Sequence, residues 1–253
     1  MEKNFSKVPE LTLLFWTIKI LATTLGETGG DAVSMSMNLG YGISTIIFAT
    51  IFFIAVSWQI KSLNFQPTIY WITIIATTTV GTTIADFINR TLGLGYARGS
   101  SLIAILLLLS ILIWRFTLGS ISIHSIKGSK SEIFYWITIM FSQTLGTSLG
   151  DWTADSEKLG YSYSALIFGS LLSVIALINY STKISRTFLF WSAFILTRPL
   201  GAVFGDFLDK PYAKGGLELS RYSISIILIF FIICGVKLFP SRWWKISKKP
   251  NTL

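Results

Sequence analysis

Charge is what this chain lacks most: Asp, Glu, Lys and Arg together make up 13% of its 253 residues, where a soluble domain carries about 25%. So few ionic groups cannot cover a soluble surface, and with 52% hydrophobic residues the chain reads as an integral membrane protein. Cysteine is almost absent. Cys234 stands alone in the last apolar run, which excludes a disulfide framework and a thiolate metal cluster. Histidine is equally scarce: His124 lies in a polar loop with Lys127 and Lys130, so no histidine metal site is available. Also missing is a small-residue cleavage site after the opening "MEKNFSKVPELTLLFW", which is therefore read as the approach to a first transmembrane helix and not as a leader. The loops are too short for a soluble catalytic or receptor domain.

What the chain does have is long apolar runs. The plainest, 43–60, 101–118, 163–178 and 222–239, are close to the roughly 17 to 25 residues that cross a bilayer core. Four less pure runs lie between them, each ending in polar residues. These align with one another as "FWTIKILATTLGETGGD" (15–31), "YWITIIATTTVGTTIAD" (70–86), "YWITIMFSQTLGTSLGD" (135–151) and "FWSAFILTRPLGAVFGD" (190–206). Every copy reads aromatic, Trp, nine residues, Gly, four residues, Asp. The tryptophans that anchor the repeats are Trp16, Trp71, Trp136 and Trp191, and the acids are Asp31, Asp86, Asp151 and Asp206. Nine residues past each Asp comes a further glycine, Gly40, Gly95, Gly160 or Gly215. Copies start 55, 65 and 55 residues apart, so the first half maps onto the second with an offset of 120. That spacing implies two duplications, with a two-fold relation lying over a looser four-fold one.

The pattern resembles a bacterial family of uncharacterised membrane-anchored proteins built from four tandem copies of a repeat of unknown function, with two transmembrane segments and one characteristic Trp per copy. The resemblance covers residues 8–239. It implies a topology and carries over no activity.

The expected fold is all-α: about eight transmembrane helices, as four parallel two-helix repeats with pseudo-two-fold and four-fold symmetry about the membrane normal. The expected units are 8–62, 63–118, 128–182 and 183–239, followed by a basic tail at 240–253. In this arrangement the four Trp-Gly-Asp helices surround a central axis and the plainer helices stand outside. Thirteen Lys and Arg residues fall at the termini and between repeats, and six, including Arg90 and Lys210, fall in the turns within repeats. The bias places both termini in the cytoplasm and the protein in the inner membrane. It also accounts for the net charge of +9 without a nucleic-acid partner.

At about 100° per residue, the positions four and seven before each Asp fall within about 40° of it. They are Glu27 and Thr24, Thr82 and Thr79, Thr147 and Thr144, and, without oxygen ladders, Ala202 and Pro199. A second stripe, one and five residues before the Asp, is small: Gly30 and Gly26, Ala85 and Gly81, Gly150 and Gly146, Gly205 and Gly201. Spacing of this kind lets helices approach closely in lipid.

An Asp near the middle of a membrane helix costs about 2.5 to 3.5 kcal/mol, so four of them must face one another, water, a cation or a proton, unless they sit at the headgroup boundary as helix caps. Copy one adds Lys19 and Glu27, and copy four adds Arg198, in the register that Gln143 occupies in copy three. Glu27 is expected to pair with Arg198 or Lys19 as a rearrangeable charge balance.

The leading functional expectation is a transporter of a small cation. Asp31, Asp86, Asp151 and Asp206 would ligate a hard metal such as Mn, Mg or Ca, or an alkali ion, with threonine hydroxyls beside them, and proton coupling is open. The alternatives are a membrane scaffold or sensor and, less favoured, an intramembrane carboxylate enzyme. Against the last, residues Thr28, Thr83, Ser148 and Val203 stand where an aspartyl-protease motif needs glycine. No catalysis and no cofactor is expected, the partners are the bilayer and the cation, and a homo-oligomer is left open.

Overall fold

The structure, a computed structural model, describes residues 9, 11–62, 65–122, 126, 128–156, 159–182 and 184–238. His124 and the basic tail at 240–253 lie outside the described residues. Among those described are eight α-helices and no strand: α1 (Leu13–Asp31), α2 (Gly40–Lys61), α3 (Pro67–Asp86), α4 (Gly95–Leu118), α5 (Ser129–Asp151), α6 (Gly160–Ser181), α7 (Arg186–Asp209) and α8 (Arg221–Leu238).

Local sequence sets the boundaries. The Thr12 hydroxyl accepts the Phe15 N–H at 3.2 Å and caps α1, and Pro67 opens α3 where its missing N–H is not needed. In the first three copies the α-helix ends at the repeated Asp and continues as a five-residue π-helical turn, Ala32–Ser36, Phe87–Thr91 and Trp152–Ser156. The fourth copy stays α-helical through Asp209. The glycine nine residues past each Asp has a left-handed backbone, with φ of 72°, 72°, 74° and 82° at Gly40, Gly95, Gly160 and Gly215. A side chain would strain each of these reversals.

Six helices are long and apolar enough to cross a membrane: α2, α3 with its π turn, α4, α6, α7 and α8. The other two, α1 and α5, are of similar length, 19 and 23 residues, but more polar.

The long helices pack as two shells. The inner shell is a closed ring in which α1 touches α3, α3 touches α5, α5 touches α7 and α7 returns to α1. Around it, α2 lies on α3, α4 on α5, α6 on α7 and α8 on α1. Each outer helix therefore packs against the inner helix of the next repeat, and the last repeat closes onto the first. The outer helices expose large apolar side chains such as Ile46, Phe53, Leu108, Leu166 and Phe230, as a lipid-facing surface requires.

Small residues hold the ring together. A Cβ added at Gly26 would meet Thr78 Cβ at 2.5 Å, at Gly81 it would meet Gln143 Cβ at 2.9 Å, and at Gly201 it would meet Thr23 Cβ at 2.5 Å. At Gly146 it would run into Arg198 and lie 3.0 Å from Pro199 Cδ. So each glycine five residues before its Asp receives the side chain eight residues before the Asp of the next helix round the ring. One step along, Gly30 faces Thr82, Gly150 faces Ala202 and Gly205 faces Glu27. Close approach also permits hydrogen bonds between helices: Thr78 donates to Ala22 O at 3.2 Å and Thr23 to Thr197 O at 3.3 Å, two equivalent positions.

Gly81→Val is therefore expected to lower the unfolding temperature in detergent, an overpacking loss of roughly 1–3 kcal/mol. Gly169→Ala on α6, where no atom lies within 4 Å of the added Cβ, should leave it unchanged. Equal behaviour of the two variants would contradict the close-packed ring.

Candidate functional site

The ring interior is organised in layers four residues apart along each inner helix. The lowest, sixteen residues before the Asp, is aromatic: Phe15, Tyr70, Tyr135 and Phe190 are all buried, and the Tyr70 and Tyr135 hydroxyls meet at 3.0 Å. Trp71, Trp136 and Trp191 pack into the same cluster, with Trp16 partly buried at its edge. The repeat tryptophans are thus core residues of the ring end and not a belt facing headgroups. Above this plug come Lys19, Ile74, Ile139 and Phe194, then Thr23, Thr78, Gln143 and Arg198, then Glu27, Thr82, Thr147 and Ala202, and finally the four Asp residues. Every side chain in these four layers is buried.

Arg198 is the hub. From α7 its Nη2 donates to Glu27 Oε2 on α1 at 2.9 Å, to Thr82 Oγ1 on α3 and to Thr147 Oγ1 on α5, and its Nη1 reaches Thr23 O at 3.4 Å. One fully buried guanidinium therefore touches the other three inner helices. Glu27 is paired with Arg198, while Lys19 Nζ has no hydrogen-bond partner and lies 4.2 Å from the centre of the Phe194 ring.

The four Asp residues form a belt at the opposite end from the aromatic plug, and two basic side chains divide it between them. Arg90 contacts Asp86 of its own helix and Asp151 of the next, both at 3.0 Å. Lys210 contacts Asp206 at 3.0 Å and Asp31 at 2.7 Å. Arg90 and Lys210 are 120 residues apart, so the two clamps obey the two-fold relation of the halves. Arg90 is further held by the hydroxyls of Tyr41 and Tyr96, at 3.0 and 3.1 Å, and Arg221 pairs with Asp209 beside the other clamp. Lys210 sits just beyond the α7 span. Burial disfavours its ammonium, but the carboxylates of Asp206, Asp31 and Asp209 outweigh that and hold its pKa well above the ordinary lysine range.

Sequence reasoning counted Arg90 and Lys210 only as turn charges. The signal that could have found them is their place four residues after Asp86 and Asp206, one helical turn on. Of the threonines considered as donors, Thr82 and Thr147 join the Arg198 hub. Thr24, Thr79 and Thr144 instead donate to carbonyls of their own helices, Ile20, Ile75 and Met140, at 3.0, 2.8 and 2.9 Å. The acids are not equivalent either. Glu27, Asp31 and Asp206 converge, with one oxygen of each within 4.8 Å of the others, a set able to hold a metal ion. Asp86 and Asp151 lie at the Arg90 clamp.

An all-helical core with a lipid-compatible exterior and a charged, layered interior defines a multi-pass membrane protein built on internal repeats. The chain belongs to the family described as Repeat of Unknown Function (DUF347), which it matches four times, over residues 14–63, 69–119, 134–185 and 189–239. No curated protein and no solved structure matches it.

Removing one partner of a buried ion pair leaves the other uncompensated, a loss of about 3–5 kcal/mol. Arg198→Met and Glu27→Gln are each expected to destabilise the protein strongly in denaturant unfolding, and the double variant to lose less than the sum of the two. Strictly additive losses would mean that the pair carries no coupling.

Proposed function

We propose that this protein is a transporter of a small cation, with the carboxylates of Glu27, Asp31 and Asp206 as its binding site. The observation that carries the reading is that convergence of three buried carboxylates. Charge supports it. Six carboxylates, Glu27, the four repeat Asp residues and Asp209, face four cationic heads, Arg90, Arg198, Lys210 and Arg221, in the upper layers. The shortfall favours uptake of a cation or protons. An oxygen-only ligand set suits Mg, Mn, Ca or alkali ions. Lys210 Nζ then acts as a tethered ion that yields its place between Asp31 and Asp206 when a mobile cation enters. The protein carries an ion and performs no catalysis.

All eight helices cross the membrane in this reading. The polar α1 and α5 alternate in the ring with α3 and α7, which are apolar enough to span, and they share the same layers. The excess of basic residues at the termini and between repeats supports an inner-membrane protein with both ends in the cytoplasm, so the Asp belt faces the outer side. A reporter fused after Leu253 should be active only in the cytoplasm, and activity on the outer side would reverse the orientation.

A second reading, a static scaffold or sensor, is favoured by the two clamps, which give every Asp a built-in counter-ion. Purified protein in liposomes separates the two. Screened against Mn, Mg, Ca, Na, K and a proton gradient, it should pass at least one ion, and Asp31→Asn or Asp206→Asn should slow that flux by about tenfold, the equivalent of one lost contact. No flux for any ion, or flux untouched by both substitutions, would leave the scaffold.

A further inference from the structure

Three buried side chains near the ring centre, Lys19, Gln143 and Arg198, keep polar atoms without a hydrogen-bond partner. Lys19 Nζ has no hydrogen-bond partner, and the others in its layer, Ile74, Ile139 and Phe194, are apolar and fully buried. Gln143, also fully buried, has neither its amide oxygen nor its amide nitrogen paired. Arg198 uses Nη1 and Nη2 at the hub, but its Nε is without an acceptor.

These groups belong to one region. Gln143 holds on α5 the position that Arg198 holds on α7, and the stems of both lie against the ring glycine of the preceding helix, Gly81 and Gly146. Lys19 precedes Thr23, which holds the same position on α1, by four residues, so its side chain leaves the same face of its helix. Lys19 Nζ lies 4.2 Å from the centre of the Phe194 ring, which precedes Arg198 on α7 by one helical turn. Glu27 is the carboxylate bonded to Arg198, and no residue supplies a second for Lys19.

A buried lysine whose Nζ meets only the face of Phe194, and a buried amide without hydrogen-bond partners, are expensive to keep in place of apolar side chains of the same size. No described residue supplies a hydrogen-bond partner, so a bound ligand is the natural one. The free groups are an ammonium, an amide N–H pair and a guanidinium N–H, with a single acceptor, Gln143 Oε1. A donor-rich pocket takes a negative ligand, which would hold Lys19 in its protonated form. We propose that Lys19, Gln143 and Arg198 form a buried binding site for a small monovalent anion of halide or short-carboxylate size. Consecutive layers are only about 6 Å apart, which sets the size. The site lies below the carboxylates and shares Arg198 with Glu27, but nothing in it requires that the protein carry a cation.

The test is thermal unfolding of the purified full-length protein in detergent, with gluconate replaced by chloride or acetate at constant sodium and ionic strength. The expected result is a saturable rise in Tm of a few degrees in the wild type. The rise should be absent in Lys19→Met and weaker in Gln143→Leu, with Lys19→Met at least as stable as the anion-free wild type. No rise in the wild type, or the same rise in both variants, overturns the proposal. Should Lys19→Met fail to fold, wild-type crystals soaked in bromide decide: an anomalous peak between Lys19 and Gln143 supports the site, and water alone there overturns it. Because neither measurement reads flux, a negative transport assay leaves the outcome unchanged.

Discussion

The contact on which the rest of this structure depends is the one made by Arg198. Inside a bundle facing lipid there is no water to satisfy a guanidinium, so its donors must be met by the protein. Those of Nη2 are met from three directions at once, by Glu27 on α1, Thr82 on α3 and Thr147 on α5. Such a group fixes relative helix position more tightly than apolar packing, because a shift of any one helix strands a charge. The small residues make this geometry accessible. Without the close approach at Gly146, the Arg198 stem would have no room between α5 and α7, and without that at Gly205 the Glu27 stem would be pushed away from it.

Symmetry and its breaking are divided between the two ends of the ring. The frame keeps the repeat: glycine contacts, π turns, left-handed glycines and the two clamps recur at their expected offsets. In the centre the copies diverge. Lys19 has Ile74, Ile139 and Phe194 as its counterparts, and Glu27 has Thr82, Thr147 and Ala202. Duplication supplies four equivalent positions in each layer. Placing one acid, one guanidinium, one ammonium and one amide among them creates a directional interior inside a symmetric frame.

Much of the frame could be read from the sequence, because both of its signals are periodic. The four-residue spacing from Gly26 to Gly30 and from Gly146 to Gly150 marks a packing face, and the repeat length gives the two-shell arrangement. Glu27 and Arg198 stand out because only one copy carries each. The clamps could not be read in the same way. Arg90 and Lys210 lie after the motif ends, where charge is naturally counted as loop charge, and only the continuation of the helix past Asp86 and Asp206 turns them inward. The burial of the repeat tryptophans was not legible either, for a different reason. An aromatic pair at the start of a membrane helix fits an interface belt as well as a core, and the choice is made by helices α3, α5 and α7 packing side by side, which no single repeat records. The interlocking of repeats is equally non-local, since α2 belongs in sequence to the first copy and in space to the second.

The two ends of the ring present different barriers to a solute. At one end lies a layer of close-packed rings, Phe15, Tyr70, Tyr135 and Phe190, with tryptophans behind them. Opening it separates apolar surfaces and offers an ion nothing in return. At the other end the barrier consists of ion pairs. In the transport reading proposed above, a cation arriving there would replace Lys210 at Asp31 and Asp206, so contacts broken would be exchanged for contacts of the same kind, and the displaced ammonium would lie close to the end of the ring, where water can solvate it. The energetic difference between the two states is then small, as an exchangeable site requires. Access to the carboxylates through the Asp belt is therefore easier than access through the plug, and movement past the plug requires the inner helices to part below Arg198. Arg198 joins all four of those helices, so in the proposed transport reading release of its bond to Glu27 would couple an event among the carboxylates to the far end of the ring.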